Sequence, residues 1–109
     1  MLSKEITTDL VNGLCEIFKD ELVSIILYGS VARGDDNIDS DVDVAIILQN
    51  GLADVKKEDF FGLSSRMDIK YDKVFSIIDI EVEKLEQWGK VLPFYKNIKN
   101  EGVVLWKAA

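Results

Sequence analysis

Two apolar runs on either side of a polar, glycine-containing stretch constrain this chain more than any other feature. Leu22–Tyr28 (LVSIILY) and Val42–Leu48 (VDVAIIL) are rich in β-branched residues, and turn-forming residues follow both runs. The runs predict two buried strands. The segment between them, GSVARGDDNIDSD, predicts a turn, a helical turn and a loop. Because functional residues concentrate in such loops, we expect the site to lie here.

The rest of the chain alternates helical and extended patterns. Apolar residues recur on one helical face over residues 3–20, and a weaker helical pattern covers residues 55–66. A third strand, bent near Asp72, is predicted over residues 68–80. The remaining predictions are short helices over residues 82–88 and 94–101, the second ended by Gly102, and a strand over residues 103–106. This order predicts one α/β or α+β domain spanning residues 1–109, with helices on one face of a small mixed sheet and an exposed carboxylate site on the other.

Composition narrows the chemistry that such a domain can perform. With 48% apolar and 30% charged residues in 109, the chain has the profile of an ordered domain. It contains no His, which excludes His-dependent triads, His zinc sites and His general bases, and leaves carboxylates, Lys, Arg or metal ions. Its single cysteine, Cys15, falls within a helical pattern and receives no catalytic role.

Charge and hydropathy indicate the surroundings of the protein. The net charge of −7 argues against direct binding of nucleic acid, which depends on Lys and Arg. No apolar run approaches the roughly 18 residues that span a bilayer, and the polar start does not resemble a signal peptide. We therefore expect a cytoplasmic protein without membrane contact.

The candidate chemistry lies in the order strand, Gly29-Ser30, ten residues, Asp41-x-Asp43, strand. A glycine directly after a strand lets the backbone approach a phosphate, and Ser30 adds a hydroxyl donor. Residues two apart in a strand point to one face, about 6.6 Å apart, so Asp41 and Asp43 would project together. Oxygen-only ligands favour Mg²⁺ or Mn²⁺ over zinc, and two carboxylates at this spacing can share two such ions. The arrangement predicts in-line nucleotidyl transfer, with an ordinary turn and a solvated acidic loop as the alternative.

These residues also carry a resemblance to a known family. The segment YGSVARGDDNIDSDVDVAII resembles the signature of the DNA polymerase beta nucleotidyltransferase superfamily, and within it the minimal nucleotidyltransferases. The C-terminal part, KYDKVFSIIDIEVEKLEQWGKVLPFYKNIKNEGVVLW, is similar to the end of those domains. The resemblance implies a polymerase-beta-like fold, with Gly29 and Ser30 holding the triphosphate of ATP and Asp41 and Asp43 binding metal.

The resemblance further implies a third acidic residue on a later strand that completes the metal site and helps to deprotonate the acceptor. Asp72 is our candidate for this catalytic and metal-binding role, and Asp68 and Asp79 are the alternatives. If residues 68–80 form one strand, Asp79 faces away from the other two. Arg33 matches the family's Ser-x-x-Arg-Gly spacing and is expected either to bind phosphate or to pair with Asp35 or Asp36.

A last implication concerns the acceptor. The chain lacks the second helical domain of larger family members, so acceptor recognition is expected to involve another chain. Similarity to minimal nucleotidyltransferases of toxin–antitoxin systems implies a HEPN-type ribonuclease partner and transfer of AMP to a hydroxyl of that partner, a tyrosine. The C-terminal aromatic residues are expected to contribute to the interface. The alternatives are a catalytically inactive, neutralising subunit and a transferase that acts on a small molecule.

Overall fold

The computed structural model describes residues 2–35, 37 and 40–109. Its helices and strands follow the order α1 (Lys4–Phe18), β1 (Leu22–Tyr28), α2 (Gly29–Arg33), β2 (Val42–Leu48), α3 (Asp54–Tyr71), β3 (Phe75–Glu81), α4 (Val82–Trp88), α5 (Pro93–Glu101) and β4 (Val103–Lys107). A 3₁₀ turn, Lys19–Glu21, joins α1 to β1.

The strands form one mixed sheet in the order β3-β2-β1-β4. β1 runs antiparallel to β2 and β4, whereas β2 and β3 are parallel and are joined through α3. The bounds of β1 and β2 agree with the prediction, because each apolar run is interrupted where the chain becomes polar or turns. The fold class predicted from the sequence, a mixed sheet with helices, is confirmed.

The larger core lies between one face of the sheet and helices α1 and α3. Alternate residues of β2 point into it, and α1 and α3 contribute apolar side chains spaced three or four apart. Ser3 caps α1 by accepting a hydrogen bond from the Ile6 N–H at 3.2 Å. The buried members from β2, α1 and α3 are Val42, Val44, Ile46, Leu48, Ile6, Leu10, Leu14, Phe18, Phe60, Leu63 and Met67.

A second, smaller core covers part of the opposite face, which corrects the expectation of helices on one face only. β2 is apolar at consecutive positions, so Ala45 and Ile47 also require cover. Leu85 of α4 and Ile98 of α5 provide it. The short C-terminal helices therefore lie on the face that carries the predicted carboxylate site.

The boundary between α3 and β3 differs from the prediction. Residues 68–71, predicted to begin a strand, form the last turn of α3, and β3 begins only at Phe75. Asp72 ends the helix in the left-handed conformation, with φ 51°. Tertiary contacts explain the longer helix, because Met67 is fully buried and the Tyr71 hydroxyl donates a hydrogen bond to Asp9 at 2.9 Å.

A polar cluster ties α3 to α1. The Asp9 carboxylate accepts hydrogen bonds from Arg66 at 3.3 Å, Lys70 at 2.9 Å and Tyr71 at 2.9 Å. The Lys70 and Tyr71 bonds are the main causes that lower the pKa of Asp9 from 3.8 to about 2. No helix in the described ranges combines the length and the apolar character needed to cross a membrane.

Candidate active site

The candidate site begins with a row of three side chains that crosses the sheet. Tyr28, the last residue of β1, pairs with Asp43 of β2, and Asp43 pairs in turn with Ser76 of β3. Directly paired residues point to the same face, so these side chains lie on the face covered by α4 and α5. Asp43 is half-buried, whereas the next residues of β2 on this face, Ala45 and Ile47, are fully covered. The row therefore forms the polar margin of an apolar surface.

Gly29 brings the backbone against the carboxylate of Asp43. The chain leaves β1 with Gly29 at φ 76°, a conformation that favours glycine. A Cβ added at Gly29 would overlap Oδ2 of Asp43 and lie 3.2 Å from its Cγ. Two independent constraints, backbone conformation and close approach, thus require glycine here. The turn at Gly29 therefore places the predicted phosphate-binding residues beside the predicted metal ligand.

Ser30 follows in α2, where its backbone carbonyl accepts a hydrogen bond from the Asp35 N–H at 3.1 Å. Within the described part of the chain, its hydroxyl makes no hydrogen bond to protein. The turn is thereby fixed through the backbone, and the hydroxyl of Ser30 remains free to contact a ligand.

Asp41 and Asp43 form the acidic part of the site. Asp41 is exposed and directly precedes β2, so only Asp43 belongs to the strand proper. Burial raises the pKa of Asp43, the negative charge of Asp41 raises it further, and Arg33 opposes both effects. Neither carboxylate makes a hydrogen bond or ion pair with another described residue. Two carboxylates, one of them partly desolvated and neither in a salt bridge with a described residue, fit a hard divalent cation.

Arg33 lies beside this acidic pair and is shared with other carboxylates. Its Nε is 3.4 Å from Oδ2 of Asp35, and its Nη1 is 3.8 Å from Oε2 of Glu101. Asp36, the other predicted partner, lies outside the described residues. The predicted surface ion pair with Asp35 is therefore present. Because the Arg33 side chain is 46% exposed and close enough to lower the pKa of Asp43, a phosphate contact stays a prediction.

The three candidates for a third carboxylate occupy different surroundings. Asp72 lies at the end of α3, three residues before β3, and Asp68 lies within α3. Oδ1 of Asp68 accepts a hydrogen bond from the Phe75 N–H at 2.8 Å, which engages that carboxylate at the start of β3. Neither Asp68 nor Asp72 lies in a strand, so strand alternation does not determine which way their side chains point.

Asp79 is in β3, where it pairs with Ile46 and so points away from Asp43. Over the residues that the structure describes, no group of three or more acidic, Cys or His side chains is arranged to hold a metal ion. Asp72 as the third ligand remains a prediction.

Sequence reasoning missed Ser76. The predicted strand over residues 68–80 contains three Asp residues, and only these were considered as the third ligand. Counting back from the apolar alternation of β3 would have found it, because Ser76 is the polar residue in phase with Ile78 and Ile80.

Aromatic rings extend the site away from the carboxylates. The ring of Tyr28 packs edge-on against Phe94 of α5, with the ring centroids 5.8 Å apart. Burial and the nearby Asp43 raise the pKa of the Tyr28 hydroxyl, which therefore stays protonated near neutral pH. Phe94 is 46% exposed, so its ring is accessible from the site face.

Known proteins are similar to this chain in sequence or in fold. A putative protein adenylyltransferase of Methanocaldococcus jannaschii is 33% identical over 100 residues, which cover 90% of this chain and 92% of the relative. A solved toxin–antitoxin structure with AMP-PNP aligns with a TM-score of 0.67 at 20% identity, covering 94% of this chain and 73% of that one.

A second solved structure contains a tri-AMPylated HEPN toxin of Shewanella oneidensis in complex with its MNT antitoxin. It aligns with a TM-score of 0.62 at 15% identity, over 98% of this chain and 74% of that one. At these identities the two solved structures establish a shared fold. The nucleotidyltransferase domain family matches residues 8–105, which include the Gly-Ser turn, both carboxylates and Ser76, and the chain therefore belongs to the nucleotidyltransferase domain family.

Proposed function

We propose that this nucleotidyltransferase transfers AMP from ATP to a hydroxyl of a protein partner, a tyrosine of a HEPN-type toxin, and so acts as an antitoxin. The observation that carries the proposal is the contact between the Gly29 turn and the Asp43 carboxylate. It joins a glycine-serine turn suited to phosphate with a carboxylate pair suited to a cation. A nucleoside triphosphate with its divalent metal ions is a ligand that needs both.

The residues have distinct roles in this proposal. Gly29 lets the turn lie against the Asp43 carboxylate, so a phosphate bound at the turn would lie beside the metal ligand, and the Ser30 hydroxyl would donate a hydrogen bond to it. Asp41 and Asp43 would hold Mg²⁺ or Mn²⁺, which would stabilise charge on the triphosphate and on the leaving pyrophosphate. Arg33 can exchange its exposed ion pair with Asp35 for a phosphate oxygen at small cost, because exposed ion pairs contribute roughly 0–1 kcal/mol.

The transfer itself is a single displacement at phosphorus. The acceptor oxygen forms a bond to the α-phosphorus of ATP, and the bond from that phosphorus to the bridging oxygen of the β-phosphate breaks. Pyrophosphate leaves, and the hydroxyl proton passes to a base or to water. Asp72 is the predicted base.

The partner assignment draws on relatives and on the surface of the chain. One relative is named as a protein adenylyltransferase, and one neighbour of the same fold forms a complex with an AMPylated HEPN toxin. A chain with a net charge of −7 would also attract a basic ribonuclease at long range. The half-exposed Trp88, Leu92 and Phe94 lie on or between the two helices on the site face, and they offer apolar anchors for such a partner.

The test is to incubate the protein with ATP labelled at the α-phosphate, Mg²⁺ and a HEPN-type protein encoded beside it. We expect label and a mass increase of one or more AMP groups on the partner, located on tyrosine by peptide mapping. Asp43→Asn should abolish the label. Asp79→Asn is the matched control, because it makes the same change in β3 on the opposite face of the sheet.

Three outcomes would contradict parts of the proposal. Stable binding of the partner without any mass increase would indicate a neutralising subunit. Label on a small hydroxyl compound in place of the partner would indicate a small-molecule transferase. Equal loss of label in Asp43→Asn and Asp79→Asn, with both variants folded, would contradict the assignment of the site to the face that carries Asp43.

A further inference from the structure

We propose that Ser76 is the β3 residue of this site, so that the chain offers its cation two carboxylates and a neutral hydroxyl in place of a third carboxylate. The inference rests on the proposed function, because it concerns the same metal ions. It adds a third oxygen donor to the site, and it predicts how tightly the chain alone binds a divalent cation.

The register of β2 and β3 places Ser76 beside Asp43. Asp43 and Ser76 are direct partners in the parallel pairing, and the pairing continues without a shift from Val42 opposite Phe75 to Leu48 opposite Glu81. A one-residue slip would send every side chain of β3 to the other face, so the unbroken register fixes the side of Ser76. Its hydroxyl is therefore the side-chain group of β3 nearest to the Asp43 carboxylate in the lateral direction.

On this face, β3 carries one polar residue, Ser76, and two apolar residues. The residues that share the face with Ser76 are Ile78 and Ile80, which pack in the second core. The acidic residue Asp79 belongs to the other face. β3 thus offers the site one polar side chain, and that side chain carries no charge.

Three hydrogen bonds fix the start of β3. The Phe75 N–H donates to Asp68 at 2.8 Å, the Phe75 carbonyl accepts from the Ser64 hydroxyl at 3.3 Å, and the Val74 carbonyl accepts from the Val42 N–H at 2.8 Å. These bonds flank Ser76 on its N-terminal side and restrain the strand. A shift that would carry Asp72 into the position of Ser76 would break all three.

The Ser76 side chain itself has the properties of a ligand-facing group. It is half-buried, and its hydroxyl makes no hydrogen bond to the described residues. A polar group in that state gains from a partner supplied by a ligand. Because a neutral hydroxyl attracts a cation less than a carboxylate does, the chain alone should hold a divalent cation weakly, and the phosphates of ATP must supply the remaining negative charge.

The experiment is a titration of the full chain with Mn²⁺ alone. Binding is measured by calorimetry or by the loss of the electron paramagnetic resonance signal of free Mn²⁺. Two substitutions of equal size separate charge from shape, namely Ser76→Asp and Ser76→Asn. We expect Ser76→Asp to bind Mn²⁺ about tenfold more tightly than Ser76→Asn, since it adds a carboxylate beside Asp43. Asp43→Asn should weaken binding at least about tenfold. If Ser76 takes the third position in place of Asp72, Asp72→Asn should leave the Mn²⁺ affinity unchanged.

The outcomes separate this inference from the function on which it rests. Equal Mn²⁺ affinity of Ser76→Asp and Ser76→Asn, while Asp43→Asn loses binding, would overturn the role of Ser76 and leave the metal site intact. If Asp72→Asn weakens Mn²⁺ binding as much as Asp43→Asn does, the third position belongs to Asp72. If Ser76→Asp does not fold, the comparison of Asp72→Asn with Asp43→Asn still decides between Ser76 and Asp72. Binding that is unaffected by Asp43→Asn would overturn the proposed metal site together with this inference.

Discussion

Gly29→Ala tests whether the turn after β1 serves the site and not only the fold. Gly29 and Gly34 both have positive φ, 76° and 79°. A Cβ at Gly29 overlaps the Asp43 carboxylate, whereas a Cβ at Gly34 would meet no atom of the other described residues within 4 Å, its chain neighbours aside. Gly34→Ala is thus a matched control, because it introduces the same backbone strain without the overlap.

The expected magnitudes follow from these two contributions. Left-handed backbone costs a non-glycine residue roughly 1–2 kcal/mol, so both variants should lose about that much stability. For a domain of this size, each kcal/mol corresponds to a fall of about 4–8 °C in Tm. In Gly29→Ala the Asp43 carboxylate must also rotate or shift, and a displacement of about 1 Å at a reacting centre can reduce the rate about 100-fold.

The assay combines thermal melting with initial rates of AMP transfer, measured well below the lower Tm. We expect similar melting of the two variants and a loss of transfer of about 100-fold in Gly29→Ala alone. Mn²⁺ affinity should fall in parallel, because the displaced carboxylate is a proposed metal ligand. Full transfer by folded Gly29→Ala would refute the reasoning, and so would an equal loss in Gly34→Ala.

Three further predictions concern ligand binding, catalysis and acid stability. Millimolar Mg²⁺ with ATP should raise the Tm of the wild type but not that of Asp43→Asn, because a ligand of the folded state stabilises it; no rise in the wild type would count against the site. Asp72→Asn should lower kcat more than ATP affinity if Asp72 is the base, and an unchanged kcat would remove it from the mechanism. Asp9→Asn should cost about 1 kcal/mol at pH 7, since the partners of Asp9 are half-exposed. Because the folded pKa of Asp9 is lowered from 3.8 to about 2, its contribution is complete above pH 3.8 and is lost as pH falls through 2, so urea unfolding of Asp9→Asn should show a smaller decline there.

The sequence allowed the strands beside the site to be predicted closely, and the reason is local. β1 and β2 are continuous apolar runs, and each is followed by turn-forming residues that end it. Gly29, Ser30, Asp41 and Asp43 could be singled out because their roles depend on position relative to these strand ends. The close approach of Gly29 to Asp43 then follows from the antiparallel pairing of β1 with β2.

The start of β3 could not be predicted in the same way, because long-range contacts decide it. Residues 68–71 contain β-favouring Ile and Tyr, yet they remain helical while Tyr71 bonds to Asp9 and Asp68 caps the following strand. Asp72 adopts a left-handed conformation that Asp tolerates better than most residues. Which polar residue meets Asp43 thus depends on where a helix ends, and three-dimensional packing determines that end.

The same packing links the stability of the fold to the chemistry of the site. On the site face, one row of the sheet is apolar, with Ile26, Ala45 and Ile78 in register, and the next row is Tyr28, Asp43 and Ser76. Helices α4 and α5 pack on the apolar side and leave the polar row at its margin. The burial that stabilises the sheet therefore also desolvates Asp43 and raises its pKa. A partly buried carboxylate that forms no salt bridge with a described residue gains more from a divalent cation than an exposed one would, because screening by water is weaker there. The apolar row beneath the site is thus part of the proposed metal-binding mechanism, although none of its residues would touch the metal.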